Sequence, residues 1–215
     1  MIEIILKIFL SYLLGSLMGG LVLGKLAGTS DIRETGSKSA GATNALRTHG
    51  KLFGAGVFII DLAKGLLAVL VIAPFQWGAG GQETSLPMSV DMLQVWCGLA
   101  AVAGHLYPVF FGFRGGKGVA TLLGAMLGIS PVVLLIALGG WIVILLLTGY
   151  VSLASMGAGI IGALYCIFLL PGWGTTPVGI FTIISALLLV FTHRSNIRRL
   201  LDGTEHRFNV LGRFK

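Results

Sequence analysis

Residues 118–148, GVATLLGAMLGISPVVLLIALGGWIVILLLT, decide the fold. Read as one helix, the stretch is well beyond the roughly 20 residues that cross a bilayer core of about 30 Å. Pro131 divides it. Proline at a first helical position sacrifices no hydrogen bond, because that N–H has no intrahelical partner anyway. The spacing therefore predicts one helix over 131–148 and a shorter apolar piece over 118–130. At about 1.5 Å per residue the short piece covers only about 20 Å, the reach of a half-helix or of a tilted segment packed inside a bundle.

The rest of the chain follows from that division. Its 215 residues are 55% hydrophobic and 11% charged, with a mean hydropathy of +0.94. Soluble domains carry about a quarter charged residues, so the composition predicts an all-α integral membrane protein. Apolar segments at 4–26, 52–74, 91–113, 118–130, 131–148, 151–171 and 175–192 give a bundle of about seven helices, one of them short. Little residue length remains for a soluble domain, so 1–215 reads as a single membrane domain with motif loops near 27–51, 104–121 and 193–207. Met1 to Gly28 reads as a retained first span, since its apolar run exceeds a signal-peptide core of roughly 7–15 residues.

Loop charges orient the bundle. Arg33, Lys38, Arg47 and Lys51 lie in 27–51, Arg114 and Lys117 in the next basic loop, and six further arginines and lysines after His193. Residues 75–90 carry none. By the positive-inside rule the basic loops belong to the cytoplasm. An even number of crossings must link 117 to 193, and the division at Pro131 supplies it. The expectation is N-terminus out, C-terminus in, with every polar motif facing the cytoplasm. The net charge of +7 is then membrane topology and gives no case for a nucleic-acid partner. Cys97 and Cys166 sit within apolar runs, outside any metal-ligand or redox spacing, and read as buried thiols.

Three polar stretches interrupt the apolar pattern, each with groups that bind phosphate. Gly36-Ser37-Lys38-Ser39-Ala40-Gly41-Ala42-Thr43-Asn44 leads to Arg47. Glycine allows backbone amides to converge on an anion, Ser37, Ser39, Thr43 and Asn44 add donors, and Arg47 can clamp phosphate in a bidentate pair. A helix starting near Ala42 would turn its positive dipole end to the same place. Arg114-Gly115-Gly116-Lys117-Gly118 resembles a phosphate-binding loop in its chemistry but lacks the GxxxxGK[ST] spacing, so no nucleotide fold is implied. In the third stretch, His193 and Asn196 stand three residues apart and share a face if the last helix continues through them, with Glu205 beyond. Ser152 and Ser155 either cap a helix start or complete a phosphate pocket. The alternatives are a polar cytoplasmic loop with an ordinary capping serine for the first stretch, a basic turn obeying the positive-inside rule for the second and a basic cluster touching anionic lipid headgroups for the third. Asp61 and Lys64, three apart in the second span, predict a structural ion pair, because isolated charges there are costly. His105 reads as a hydrogen-bonded structural histidine.

Together these residues resemble the PlsY family, the bacterial acyl-phosphate:glycerol-3-phosphate acyltransferases. The family pattern GSGNxGATNxxR is met at Gly36, Ser37, Gly41, Ala42, Thr43, Asn44 and Arg47. The pattern GHxFPxFxxFxGGKGVAT is met from Gly104 to Thr121 with Tyr107 in place of phenylalanine, and HRxNIxRLxxGxE from His193 to Glu205. Lys38 and Ser39 depart from it, standing where the family usually has glycine and asparagine.

The resemblance implies acyl transfer from a fatty acyl phosphate to the 1-hydroxyl of sn-glycerol 3-phosphate, giving lysophosphatidic acid and phosphate in the bacterial cytoplasmic (inner) membrane. Its partners are those two substrates and membrane lipid, with functional coupling to the enzyme that makes the acyl phosphate a further implication. Catalytic roles are expected of Ser37, Arg47 and Lys117. Substrate binding is expected of Gly36, Gly41, Thr43, Asn44, Gly115, Gly116, Ser155, His193, Asn196 and Glu205. His193 is open between general base and phosphate anchor; its shared face with Asn196 favours the anchor. No histidine has an aspartate five residues later, which argues against the acyl-CoA-using acyltransferases, and no carboxylate cluster offers a divalent metal site. No cofactor is expected. The rival class is an organic-phosphate transporter, weakened because transporters place their binding groups near the midplane.

Overall fold

The computed structural model describes residues 1–76, 87–170, 172 and 175–208. Most of the 75–90 stretch without lysine or arginine, together with Arg213 and Lys215, lies outside the described residues. Within them the chain is helical, without a strand. The chain divides into two compact units, Met1–Ile129 and Ser130–Lys215. The boundary falls at the Ser130-Pro131 break.

The first unit contains α1 (Ile2–Gly15), α2 (Gly19–Leu26), α3 (Ala42–His49), α4 (Lys51–Leu67, continued by a π turn over Ala68–Ile72), α5 (Val90–Leu106) and α6 (Val119–Ile129). Gly15 and Gly104 let α1 and α5 approach so closely that a Cβ on either would strike the other backbone, at Ala101 and at Tyr12. Gly65 and Gly124 do the same for α4 and α6. Such small-residue contacts bring membrane helices together by packing where no hydrophobic force acts between them. The short segment is short in fact: α6 has 11 residues, and its Ala120, Thr121, Leu122, Gly124, Ala125 and Met126 are buried.

The first span departs from expectation. Instead of one helix over 4–26, α1 and α2 meet at a 50° bend across Ser16–Met18. The reason lies on α4. Lys64 Nζ donates to the Leu17 carbonyl at 3.0 Å, and Asp61 Oδ1 accepts from the Gly19 amide at 3.2 Å. A break within a bilayer is tolerated only where its freed backbone groups find partners. The expected Asp61–Lys64 ion pair forms, at 2.9 Å, and serves that break. Lys7, buried in α1, behaves similarly: it pairs with Glu3 at 2.8 Å and donates to the Ala73 carbonyl beyond the π turn at 3.0 Å.

The second unit contains α7 (Pro131–Thr148), α8 (Val151–Phe168), α9 (Pro177–Thr192) and α10 (Arg194–Leu201). Ser130 caps α7, accepting from the Val133 amide at 3.4 Å, with Pro131 in the first turn. Gly149, at φ 74°, stops it. Helix α7 is apolar on every face and only Val133 is buried, a surface suited to lipid. Thr176 and Pro177 repeat the cap-and-proline start for α9. The last helix does not continue straight through His193: α9 and α10 meet at 55° there. Among the described residues, four helices are long and apolar enough to cross a membrane, or up to six when each bent pair counts as one span. The protein is thus an all-helical integral membrane protein. Cys97 and Cys166 are buried free thiols.

Candidate phosphate-handling clusters

The first polar stretch forms a loop and the start of α3, and it is folded around one side chain. Asn44 is buried, and its Nδ2 donates to the carbonyls of Ile32, Thr35 and Ser39 at 2.8, 3.1 and 3.0 Å. Its Oδ1 accepts from the Ser37 amide at 2.8 Å. Asn44 therefore spends its amide on the loop, and the Ser37 amide with it, which corrects the picture of both as donors to an anion. Gly36 sits at φ +59°, and a Cβ there would collide with Asn44 Oδ1. At Gly41, the N-cap of α3, a Cβ would lie 3.6 Å from Ser39 Oγ, so space does not force glycine. Among the side chains that the stretch leaves exposed are those of Ser37, Lys38, Thr43 and Arg47.

The second stretch carries a different correction. The Gly115 and Gly116 amides donate back to the last carbonyls of α5, at Leu106 (3.2 Å) and His105 (3.1 Å). They satisfy the open end of a helix and so do not form the anion nest that the glycines suggest. A Cβ on Gly115 would strike the His105 carbonyl, and one on Gly116 the His105 ring. The turn holds Lys117 half-buried just before α6. His105 is buried under it, with Nδ1 3.3 Å from Thr121 Oγ1 and 3.5 Å from Asp61 Oδ1.

Arg33, which sequence reasoning treats as loop charge alone, joins the two stretches. Its guanidinium grips the Asp31 carboxylate at 2.6–3.0 Å and donates to the carbonyls of Phe111 (3.0 Å) and Arg114 (2.9 Å). Hydrogen bonding from that side chain holds the Asp31 carboxyl below its ordinary value, against a smaller opposing effect of burial. An arginine two residues from an aspartate is the only signal the sequence offers, and it says nothing of the carbonyls.

The second unit has its own cluster. Ser155, His193 and Asn196 are buried. Ser155 Oγ donates to the Val151 carbonyl at 2.9 Å and accepts from Trp141 Nε1 at 3.3 Å. His193 Nδ1 lies 2.8 Å from the Leu189 carbonyl. A carbonyl only accepts, so Nδ1 carries the proton, which leaves Nε2 an acceptor on the neutral ring and a second donor on the charged one. Glu205 binds protein on both oxygens: Ser152 (2.8 Å) and Asn196 (2.7 Å) on Oε1, Arg199 (2.7 Å) on Oε2. Ser152 thus holds Glu205 and does not cap α8. Burial pushes the Glu205 carboxyl up, but these hydrogen bonds and the Arg199 charge outweigh it and hold it below its ordinary value. Arg207 Nε, donating to the Thr148 carbonyl at 2.9 Å, pins the following chain to the α7–α8 turn.

Comparison with known proteins identifies the family. The family model described as glycerol-3-phosphate acyltransferase matches residues 5–203. The glycerol-3-phosphate acyltransferase of Aquifex aeolicus is 43% identical over 201 residues, covering 94% of this chain and 97% of its own. That of Mesorhizobium japonicum is 38% identical over 209 residues, covering 97% and 98%. The crystal structure of PlsY, an integral membrane glycerol 3-phosphate acyltransferase, in its glycerol 3-phosphate form superposes with a TM-score of 0.82 at 40% identity over 97% of both chains. Its lysophosphatidic acid form gives 0.80 at 39% identity, over 97% of this chain and 96% of the other.

Proposed function

The chain belongs to the glycerol-3-phosphate acyltransferase family, and from that premise we propose how its residues divide the work. The enzyme acylates glycerol 3-phosphate to lysophosphatidic acid, the first acylation of membrane phospholipid synthesis. The carrying observation is that a relative of nearly the same length and fold has been solved in a glycerol 3-phosphate form and in a lysophosphatidic acid form, which are acceptor and product of one acylation.

The donor in this reading is a fatty acyl phosphate. The 1-hydroxyl oxygen of glycerol 3-phosphate attacks the acyl carbon, the bond from that carbon to the phosphate oxygen breaks, and inorganic phosphate leaves. The leaving phosphate takes the hydroxyl proton, so atoms and charge balance without an enzyme-bound acyl group. Ser37, Arg47 and Lys117 of the first unit recognise phosphate and stabilise the charge that grows on acyl oxygen and phosphate, Ser37 by hydrogen bonding and the two cations by charge, the main source of rate acceleration in a site of this kind. Ser155, His193 and Asn196 of the second unit hold the acceptor phosphate. Toward phosphate, His193 Nε2 donates from the charged ring, since Nδ1 already serves Leu189. Glu205, Asn44, Gly36, Gly41, Gly115 and Gly116 act by shaping these clusters, and the exposed Thr43 adds a hydroxyl donor in the first unit.

The topology in this reading is seven segments in the bacterial inner membrane, N-terminus out and C-terminus in, with residues 1–215 forming one acyltransferase domain. Cysteines placed at Ser39 and Thr204 should react only from the cytoplasmic side; reaction of either from outside would remove the scheme.

The deciding assay gives purified protein glycerol 3-phosphate and an acyl phosphate in detergent, with acyl-CoA and EDTA arms. Lysophosphatidic acid should form with acyl phosphate, not with acyl-CoA, and EDTA should leave the rate unchanged, as no group of three metal-ligating side chains exists among the described residues. Comparable rates with acyl-CoA would overturn the donor, and loss on chelation restored by magnesium would overturn the metal-free chemistry.

A further inference from the structure

The buried side chains beneath the second loop make no contribution to the chemistry proposed above, yet they are tied to the loop residue that precedes Lys117. The three heavy atoms nearest to a Cβ built on Gly116 all belong to the His105 ring, with Nε2 in outright collision. Gly116 does not adopt the left-handed conformation, so its backbone admits alanine and only the ring excludes it. The ring is fixed from its other edge, where Nδ1 lies 3.3 Å from Thr121 Oγ1 and 3.5 Å from Asp61 Oδ1. Asp61 is in turn held by Lys64 at 2.9 Å, and all of these residues are buried. The backbone completes the connection, since the Gly116 amide donates to the His105 carbonyl at 3.1 Å.

We infer that His105 is a positioning residue for Lys117: its ring, locked by Asp61 and Thr121, is the surface on which Gly116 rests, and the glycine at 116 exists to let the loop lie on that ring. The inference rests on the catalytic role proposed for Lys117. A displaced Gly116 moves the ammonium-bearing residue next to it, and a misplacement of about 1 Å at reacting groups costs about a hundredfold in rate.

The test is a double-mutant cycle in the purified full-length protein, read in kcat/KM for acyl phosphate with melting temperatures alongside. Gly116→Ala alone should lose about a hundredfold. His105→Asn keeps an amide nitrogen near the Nδ1 position, for Asp61 and Thr121, and removes the atom that the new methyl would meet. In that background Gly116→Ala should cost less than about tenfold, the strong non-additivity of residues in contact. Equal losses in both backgrounds would overturn the inference, because the glycine would then be serving substrate approach. A fully active Gly116→Ala would overturn it as well, because the ring would be yielding. If His105→Asn does not accumulate as folded protein, 15N-histidine spectra of Gly116→Ala decide. Displaced His105 ring signals support the inference and unmoved ones reject it. Absence of activity in the unmutated protein would instead remove the functional reading on which the inference rests.

Discussion

The first and second polar loops look like variants of one device in sequence, glycines beside hydroxyls and a cation, but the structure uses glycine in them for different physical reasons. Gly36 takes a left-handed backbone, φ +59°, and folds against Asn44. Gly115 and Gly116 have ordinary backbones and are glycine because the end of α5 lies directly against them. One loop needs a conformation and is organised by a side-chain amide. The other needs proximity and is organised by a helix end. Both consume backbone amides that a sequence reading assigns to phosphate. In the proposed mechanism the anion is met by side chains, Ser37 and Arg47 from one loop and Lys117 from the other.

Gly115→Ala should be the most damaging way to break this contrast. The new methyl meets the backbone carbonyls of His105 and Leu106, which no rotamer change can move. The turn must shift as a whole, and acyltransferase activity should fall by at least about a hundredfold while the protein remains folded in detergent. A Gly115→Ala enzyme within a few-fold of the parent would show that proximity is not what the second loop requires.

Asn44 is the corresponding point in the first loop. Asn44→Asp keeps the acceptor for the Ser37 amide but turns a carboxylate toward the carbonyls of Ile32, Thr35 and Ser39. Asn44→Ala merely leaves them unpaired, at about 1–3 kcal/mol for a buried group. Aspartate should therefore be worse than alanine in thermal stability and in rate. The reverse order, with alanine the worse in rate, would make the amide itself a substrate ligand.

The link between the loops gives a smaller, pH-dependent effect. Arg33→Lys loses the planar fork that grips Asp31 while reaching the two carbonyls of the second loop, and should lower kcat several-fold with the fold intact. Asp31 is depressed from its ordinary value of 3.8. A depressed carboxyl contributes stability that is present above its unfolded value and lost as pH falls through the lower folded one. The tie should hold at neutral pH and weaken only below the ordinary aspartate range. The pair is partly exposed, so salt screens it and the change in melting temperature should be slight. Loosening that begins near pH 6 would point to a group other than Asp31.

Much of this architecture is legible in sequence because its signals are local. Ser130-Pro131, Thr176-Pro177 and Gly149 are start and stop residues, and they place the helix ends where the apolar pattern puts them. Asp61 and Lys64 read as an ion pair because they stand three apart on an apolar helix. The bend at Ser16–Met18 is not legible: that stretch has no proline, and the groups that stabilise the bend stand on another helix. The same holds for Arg33, whose carbonyl partners follow α5, and for Glu205, which reads equally well as a substrate ligand and as a brace for Asn196. An amide or carboxylate announces its donors or acceptors in sequence but not the direction in which it points. Asn44, turned inward on its own loop, is the plainest case.

The smallest effect concerns a departure from the family pattern within the first loop. Lys38 stands where the resembled pattern has glycine, and it sits at φ 58°, a left-handed conformation. Such a backbone costs a residue with a Cβ roughly 1–2 kcal/mol, offset by the extra freedom glycine gains in the unfolded chain, about 0.5–1 kcal/mol. Ser39, the other departure, contributes its carbonyl to Asn44, and any residue has one. The loop therefore keeps its shape in spite of both substitutions, carrying a small strain at Lys38. Lys38→Gly should remove it and raise the melting temperature by about 2 °C, leaving kcat and both Michaelis constants unchanged. A lower kcat at undiminished stability would mean that the Lys38 ammonium takes part in handling phosphate. The first loop would then supply two cations, and its contrast with the single lysine of the second would have to be redrawn around charge.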